Sequence, residues 1–292
     1  TDAANYTVTQ PTGLTADISA KALTVTGMTA NNKTYDGGTV ATLSGGSLDG
    51  VIGLEAVTFS GQTGTFADKN VGTGKTVSVS GITLGGTDAG NYLIVQPAGV
   101  TADITQRAIT VQPNDVTRVY DGTVNATSTL LATSGSLALG DSPSGGTFSF
   151  ADRHAGTGKT VSISGLSIND GNSGNNYVLT VQDNTNSTIT AANLNITGVT
   201  ASSRNYDGTT VASLGGSATV AALGGDSITL TGTGVGSFTN RHVGNNKPVS
   251  VSGFSLTGEH INNYVLVQPS GLTADITPAP LIALRFFGLT CE

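Results

Sequence analysis

Short runs in which apolar residues alternate with threonine and serine follow one another along almost the whole chain. The clearest runs are Ala22–Thr26 and Thr76–Ser80, and the second has counterparts at 161–163 and 249–251. Alternation with a period of two places the apolar side chains on one face of a strand. Gly, Asn and Asp-Gly turn signals interrupt the runs about every ten residues. The pattern therefore predicts an all-β protein.

The predicted strands are short and numerous. Counting the runs gives seven or eight strands for each stretch of about 86 residues, a spacing typical of an antiparallel β-sandwich or a related compact module. No segment of a dozen residues has a helical period. A single helical turn is compatible with the sequence at Val51–Ala56 and at Val220–Leu223.

An internal repeat organises these strands. The tripeptide Tyr-Asp-Gly begins at Tyr35, Tyr120 and Tyr206, with spacings of 85 and 86 residues. Gly-Thr-Gly-Lys-Thr at 72–76 returns at 156–160 and, altered, at 244–248, and Asn-Tyr at 91–92 returns at 176–177 and 263–264. A fixed period makes the chain an array of one unit, and this unit is long enough to be a small self-contained domain. We divide the chain into repeat 1 (residues 19–104), repeat 2 (105–190) and repeat 3 (191–277).

The two ends carry incomplete repeats. Residues 1–18 match the terminal strands of a preceding repeat, and residues 278–292 are interpreted as the truncated start of a further repeat or as a tail. The chain is therefore expected to be a fragment of a longer protein. Because residues 1–18 cannot enclose a core, we expect them to be disordered or paired with an exposed sheet edge.

The joints between repeats are short, and none is a Gly/Ser-rich linker. They lie at 19–21, 105–107, 190–192 and 277–279. Short joints of ordinary composition hold neighbouring domains close together. We therefore expect three modules arranged end to end as a semi-rigid, elongated rod, roughly 100–150 Å long.

Composition excludes several classes of partner. Charged residues make up only 11% of the chain, and the formal net charge is −7. Since no cluster of Lys and Arg is available to neutralise phosphates, we expect no binding to nucleic acid. No apolar run is long enough to span a membrane, so we expect no membrane insertion. The single cysteine, Cys291, excludes an internal disulfide.

The recurring aspartates suggest a calcium site. Hard cations prefer carboxylate and carbonyl oxygens, and the candidate ligands are Asp36, Asp121 and Asp207. Few other acids recur in register with them. The alternative is that each aspartate stabilises its own Asp-Gly turn by accepting hydrogen bonds from nearby backbone amides.

A second hypothesis is an intramolecular isopeptide bond, in which a lysine amine attacks an asparagine amide and releases ammonia. The recurring candidates are the lysines Lys75, Lys159 and Lys247 and the asparagines Asn91, Asn176 and Asn263. The reaction requires the two groups and a carboxylic acid to meet in an apolar core. The lysines lie in Gly-rich turns, where a solvated side chain is the ordinary outcome.

The histidines do not predict catalysis. His154 and His242 align with each other and with Asn70, and His260 has no counterpart. A zinc site needs three or four convergent ligands, and no such cluster is evident from the sequence. No Ser-His-Asp set recurs. We therefore expect neither an enzyme nor a bound cofactor.

Several stretches resemble a known family. Tyr206–Ala212, Val71–Val77 and Asn91–Thr105 are similar to the YDG-type repeat domain of bacterial filamentous-haemagglutinin-like surface adhesins, which are exported by two-partner secretion. The resemblance covers about residues 1–281 and supplies no catalytic residues. Repeat 2 departs from it at 182–185, and repeat 3 departs from it at Pro248.

The resemblance implies an extracellular protein, at the bacterial cell surface or secreted. Its expected role is that of a structural stalk or adhesive segment that spaces or presents a binding region. The expected partners are a host-cell glycan or protein, or neighbouring repeats of the same fibre. The alternative is a specific glycan- or host-protein-binding module in the loops of one repeat. The absence of Trp and the in-register recurrence of Tyr count against this alternative.

Overall fold

The computed structural model describes residues 2–281 of the chain. Over this range the predicted all-β fold is confirmed, with 55% of the residues in strands and no α-helix. Short 3₁₀ turns occupy Asp2–Asn5, Ala89–Asn91 and Ile261–Asn263. The stretches 51–56 and 220–223, where a helical turn was compatible with the sequence, are loops. No helix in the described part of the chain is both long and apolar enough to cross a membrane.

The strands are numbered in chain order. Repeat 1 contains β1 (Lys21–Ala30), β2 (Lys33–Thr34), β3 (Val40–Ala41), β4 (Leu43–Asp49), β5 (Thr58–Ser60), β6 (Thr63–Phe66), β7 (Gly72–Ser80), β8 (Thr83–Gly85), β9 (Tyr92–Val95) and β10 (Thr101–Thr105). Repeat 2 contains β11 (Arg107–Pro113), β12 (Thr117–Val119), β13 (Leu130–Ser134), β14 (Ser142–Phe150), β15 (Gly156–Asn169), β16 (Tyr177–Val181) and β17 (Asn184–Thr190). Repeat 3 contains β18 (Ala192–Asn195), β19 (Thr197–Ala201), β20 (Arg204–Asn205), β21 (Val211–Ala212), β22 (Leu214–Thr219), β23 (Ile228–Phe238), β24 (Gly244–Gly258), β25 (Tyr264–Val267) and β26 (Leu272–Thr277).

The sheets follow the same plan in each repeat. Repeat 1 has the strand orders β4-β1-β9 and β2-β10-β7-β6-β3, with β5 paired to β8. Repeat 2 has β13-β11-β16 and β12-β17-β15-β14, and repeat 3 has β18-β25, β19-β22 and β20-β26-β24-β23-β21. The alternation of apolar and polar residues in the sequence corresponds to an alternation of buried and exposed side chains in the strands. In β7, Val77 and Val79 are buried, whereas the residues flanking them are exposed.

The prediction of antiparallel sheets is wrong in one recurring respect. β1 lies parallel to β9, with Lys21 opposite Tyr92, and β2 lies parallel to β10. Parallel pairs also join β12 to β17, β18 to β25 and β20 to β26. A parallel pair requires the chain to cross over between its two strands, and here most of a repeat forms the crossover. Side-chain alternation carries no information about strand direction, so the sequence could not show this.

The compact units of the fold do not coincide with the sequence repeats. Unit 1 comprises the described residues up to Thr110 together with Ala132–Gly145 and Leu166–Thr180, and unit 2 comprises Val111–Leu131, Gly146–Gly165 and the described residues from Val181 to Leu281. Each boundary between repeats therefore lies inside a unit. The main hydrophobic core of unit 2 joins Phe150 and Val161 of repeat 2 to Leu194 and Tyr264 of repeat 3. Repeats expected to be self-contained thus share a core across their boundary.

The residues that precede repeat 1 take no part in a core. Residues 6–20 form no strand, and every residue from Asp2 to Ala20 is exposed. The expected pairing of this segment with a sheet edge is therefore not found. The segment expected to be a tail is described only as far as Leu281, and residues 282–292 lie outside the described range.

Candidate functional site at the joints between repeats

Each Tyr-Asp-Gly turn is stabilised by its own aspartate. The carboxylate accepts a hydrogen bond from the backbone amide two residues later, over 2.9 Å from Gly38, 2.8 Å from Thr123 and 2.9 Å from Thr209. The same carboxylate oxygen pairs with a cation three residues earlier, in the pairs Lys33–Asp36, Arg118–Asp121 and Arg204–Asp207. These contacts correspond to the turn-stabilising role, the alternative to a calcium site.

The charge state of these aspartates follows from the same contacts. The amide of Thr209, the guanidinium of Arg204 and the hydroxyl of Thr209 lower the pKa of Asp207 to about 2. At each turn the cation and the amide share Oδ1 of the aspartate, so a calcium ion would have to compete with a basic side chain for that carboxylate. Among residues 2–281, no group of three or more His, Cys, Asp or Glu side chains is placed to hold a metal ion.

In unit 1, the tyrosine of the first Tyr-Asp-Gly turn reaches into the following repeat. The hydroxyl of Tyr35 donates a hydrogen bond to Oδ2 of Asp141 over 2.9 Å, and the hydroxyl of Tyr177 donates to the same oxygen over 2.7 Å. The two rings meet edge to face, with centroids 5.4 Å apart. The amide of Ala138 donates to the hydroxyl of Tyr177 over 2.8 Å. One carboxylate thus joins a tyrosine of repeat 1 to a tyrosine of repeat 2.

The acid at this joint is almost completely shielded from water. The side chain of Asp141 is 1% exposed, and Nζ of Lys69 from repeat 1 lies 3.5 Å from its second oxygen. A buried carboxylate is tolerated when hydrogen bonds and an opposite charge satisfy it. Burial, followed by the hydrogen bond to Asp141, raises the pKa of Tyr177 to about 12. Burial also raises the pKa of Tyr35.

A buried asparagine completes the joint in unit 1. Asn176 is fully buried, and its Oδ1 accepts a hydrogen bond from the backbone amide of Val71 over 3.0 Å. Its Nδ2 donates to Oδ1 of Asn70 over 3.2 Å. The side chain of Asn176 in repeat 2 thereby provides hydrogen-bond partners for the amide of Val71 and the side chain of Asn70 in repeat 1, which are partly shielded from water at the joint.

Unit 2 contains the same joint between repeats 2 and 3. Tyr120 donates to Oδ2 of Asp226 over 2.7 Å, and Tyr264 donates to this oxygen over 3.0 Å. The rings again meet edge to face, 5.5 Å apart. Nη2 of Arg153 lies 2.5 Å from Oδ1 of Asp226, whose side chain is 0% exposed. The arrangement of tyrosine, acid, tyrosine and cation is thus built twice.

The electrostatics of the second joint hold its acid ionised. Burial on its own would raise the pKa of Asp226, but the hydrogen bonds from Tyr120, Tyr264 and Asn263 and the charge of Arg153 outweigh burial and lower it. Oδ1 of Asn263 also accepts a hydrogen bond from the amide of Ala155 over 2.9 Å, as Asn176 does from Val71.

Two histidines meet at the second joint. The rings of His154 and His260 stack with centroids 4.8 Å apart, and Nδ1 of His260 lies 3.3 Å from Asp226. In the sequence these two histidines had no common register. The structure brings them together at the joint, to which repeat 2 contributes His154 and repeat 3 contributes His260.

The lysines and asparagines considered for an isopeptide bond make separate contacts. Nζ of Lys75 lies 2.7 Å from Oδ1 of Asp68, and Nζ of Lys247 lies 2.7 Å from Oδ1 of Asn240. Lys159 pairs with Asp152 in the same way. The residues 72–75, predicted as a turn, begin strand β7, and the Lys75 side chain is shielded there instead of being freely solvated. Asn176 and Asn263 contact the preceding repeat, and Asn91 is exposed.

The acids at the centre of the joints were not recognised from the sequence. The joint acids Asp141 and Asp226 recur in register with Glu55 of repeat 1, with spacings of 86 and 85 residues, the same period as the Tyr-Asp-Gly turns. The change from Glu to Asp and the variable loops around them obscure the register. Chemically, the joint fixes one repeat to the next by hydrogen bonds and an ion pair.

The raised tyrosine pKa values predict an alkaline limit of stability. Because the pKa of Tyr177 is about 12 in the folded protein and 10.0 for the free side chain, the unfolded chain loses its phenol proton first. The protonated hydroxyl of Tyr177 therefore makes its full contribution to the free energy of unfolding below pH 10, and this contribution is lost as the pH rises through about 12. Urea unfolding should therefore show the free energy of unfolding falling across this interval, with a shallower fall in Tyr177→Phe. An equally steep fall in that variant would contradict the assignment.

Comparison with known proteins agrees with the repeat seen in the sequence and the structure. The profile of a family described as the YDG domain matches residues 19–101, 105–186 and 190–271. The predicted resemblance is therefore confirmed for three copies of this domain. Comparisons with curated proteins and with solved structures find no match.

Proposed function

The chain belongs to the YDG domain family, three of whose domains it carries in tandem, and from this premise we propose that it is a structural and adhesive segment of a large bacterial adhesin. In this role the segment spaces or presents a binding region and catalyses no reaction. Its setting is the cell surface or the secreted fraction, in a protein of the filamentous-haemagglutinin-like type. Its partners are a host-cell glycan or protein, or neighbouring repeats.

The observation that carries the proposal is the recurrence of the joint. In both units a buried acid, 1% exposed at Asp141 and 0% exposed at Asp226, accepts hydrogen bonds from tyrosines of two successive repeats. Directional contacts of this kind fix the orientation of one repeat relative to the next, whereas a flexible linker would leave it free. Fixed joints suit a protein that must hold a binding region away from a surface.

Small-angle X-ray scattering of the whole chain tests the proposal. We expect a maximum dimension of roughly 100–150 Å, compared with about 50 Å for a compact sphere of this length. Asn176→Ala should broaden the distribution of distances because it removes a contact of the joint. Asn91→Ala is the matched control, since Asn91 holds the same position in repeat 1 but is exposed.

Binding assays separate the structural role from its alternative. The chain should give no saturable binding on a glycan array or on host cells if it acts only as a spacer. Saturable binding abolished by changes to the loops of a single repeat, combined with a compact shape in scattering, would replace the proposal by that of a specific binding module.

A further inference from the structure

The two tyrosines of each joint lie next to each other. In unit 1 the ring centroids of Tyr35 and Tyr177 are 5.4 Å apart, and in unit 2 those of Tyr120 and Tyr264 are 5.5 Å apart. One ring of each pair belongs to one repeat and the other ring belongs to the next. Both hydroxyls of a pair donate to the same carboxylate oxygen, so the hydroxyl ends of the two rings lie side by side.

The shared carboxylate is placed to accept a phenol proton. A phenol that loses one electron becomes a neutral radical when its proton leaves as well, and a hydrogen-bonded base takes up that proton directly. Oδ2 of Asp141 lies 2.9 Å from the hydroxyl of Tyr35 and 2.7 Å from that of Tyr177. Each pair therefore combines two oxidisable rings with one proton acceptor.

Burial holds the two rings of a pair together. Each of the four rings has at most 7% of its surface exposed, and closely packed surroundings keep its neighbour fixed. A ring enclosed in this way has its partner tyrosine within the same chain, whereas Tyr6, which is 80% exposed, can meet a tyrosine of another molecule. An oxidant does not need to touch the buried rings, because an electron can cross a thin layer of protein that a molecule cannot.

We propose that each joint is a site of oxidative cross-linking, at which a one-electron oxidant joins Tyr35 to Tyr177 and Tyr120 to Tyr264 as dityrosine. Suitable oxidants are the high-valent haem of a peroxidase or a photogenerated metal complex. A local rotation of the two side chains brings the rings within bonding distance. The product is a covalent bond between successive repeats.

The reaction consumes two equivalents of the oxidant for each link. Each phenol in turn gives one electron to the oxidant and its proton to the shared carboxylate, which releases it to solvent. The two phenoxyl radicals combine through the ring carbons next to their oxygens and form one carbon–carbon bond. Each of these carbons then loses its hydrogen as a proton while the oxygen on the same ring regains one, so both rings become phenols again. The chain loses two hydrogen atoms in all.

A covalent link would give the joint a strength that hydrogen bonds alone do not. Each link closes a loop longer than one repeat, which restricts the unfolded chain as a disulfide does. The single cysteine cannot form such a bond within the chain. The inference goes beyond the proposed function, since a spacer or an adhesive segment does not require covalent joints.

Brief photo-oxidation of the whole chain with ruthenium tris-bipyridine and persulfate tests the proposal. The monomeric fraction is isolated, digested with trypsin and analysed by mass spectrometry. We expect the mass to fall by two hydrogen atoms for each link, and we expect linked peptides that join Tyr35 to Tyr177 and Tyr120 to Tyr264. The same treatment in urea should give mixed pairings, because the unfolded chain does not hold these rings together.

Two tyrosine variants test the pairing. Tyr35→Phe should abolish the link to Tyr177 and leave the link of unit 2, which serves as a control in the same molecule. Tyr92→Phe is the matched variant, because Tyr92 is buried and donates to Glu55 but contacts no second tyrosine ring within residues 2–281. It should leave both links unchanged.

A third variant tests the carboxylate. Asp226→Asn keeps an oxygen that accepts hydrogen bonds but removes the base, so the link between Tyr120 and Tyr264 should be lost while the link of unit 1 persists. Equal yields of the two links in this variant would contradict the role of the carboxylate. If the substitution opened the joint, Tyr120 and Tyr264 would form mixed pairings as in urea, and the link of unit 1 would still test the proposal.

Mixed pairings in the folded parent chain, or links that form only between molecules, would overturn the proposal. So would a link between Tyr120 and Tyr264 that disappears in Tyr35→Phe. A chain that is elongated in scattering but forms neither link would refute the inference and leave the proposed function standing.

Discussion

Replacing Asp226 by alanine is expected to lower the free energy of unfolding by about 3 kcal/mol, the largest loss from any single side chain at the joints. The carboxylate accepts hydrogen bonds from Tyr120 and Tyr264 and pairs with Arg153. Its removal leaves the buried hydroxyl of Tyr120 without an acceptor, leaves Tyr264 with only the carbonyl of Leu223 at 3.2 Å, and leaves a guanidinium without its counter-charge. Because Arg153 is 25% exposed, water compensates part of its loss, which places the estimate at the lower end of the range for buried pairs.

Urea unfolding followed by tyrosine fluorescence measures this effect, since the chain has seven Tyr and no Trp. The matched control is Glu55→Ala, which removes the acid at the same position of repeat 1. Glu55 has Tyr92 as a partner but, within residues 2–281, receives no tyrosine from another repeat, so the control should lose much less stability. Equal shifts of the unfolding midpoint in the two variants would show that the shared joint contributes nothing particular.

Substituting alanine for Gly122 is expected to destabilise the protein by about 3 kcal/mol, for two separate reasons that add. The residue has φ +80°, a conformation that costs an L-residue roughly 1–2 kcal/mol. The new Cβ would also lie 2.6 Å from the Cα and 2.7 Å from the amide nitrogen of Gly224. Relieving such an overlap moves backbone and costs about 1–3 kcal/mol.

The third Tyr-Asp-Gly turn provides the control for this substitution. Gly208 has φ +81° and open space around its Cβ position, so Gly208→Ala carries the conformational cost alone. Thermal or urea unfolding should therefore rank Gly122→Ala well below Gly208→Ala in stability. If the two variants are equally stable, Gly122 and Gly224 do not approach as closely as the structure places them.

The sequence predicted the positions of the clearest strands because alternation is a local property, although repeats 1 and 3 contain ten and nine strands where seven or eight were expected. Alternation of Val with Ser or Thr in Thr76–Ser80 is sufficient to place Val77 and Val79 inside β7. Strand direction is not a local property, and the parallel pair of β1 with β9 joins residues that are most of a repeat apart.

The candidate site was predicted only in part. The recurrence of Asn176 and Asn263 is visible in the sequence, but these residues contact loops of the preceding repeat and not a lysine of their own repeat. The acid is not evident from the sequence because Glu55, Asp141 and Asp226 differ in residue type and lie in loops of variable sequence. The sequence shows that a residue recurs, but not which repeat its side chain contacts.

The division of each joint between two successive repeats has a consequence for how such proteins change length over evolution. Every repeat carries the tyrosine and the cation for the joint with the following repeat and the acid, tyrosine and asparagine for the joint with the preceding repeat, so a gene duplication or deletion that spans one whole period recreates a complete joint at the new boundary. A duplication out of phase would create a boundary without its acid or without its tyrosine. Selection for stable joints would therefore favour changes in steps of about 85 residues, so that related chains differ in the number of repeats more readily than in the length of each.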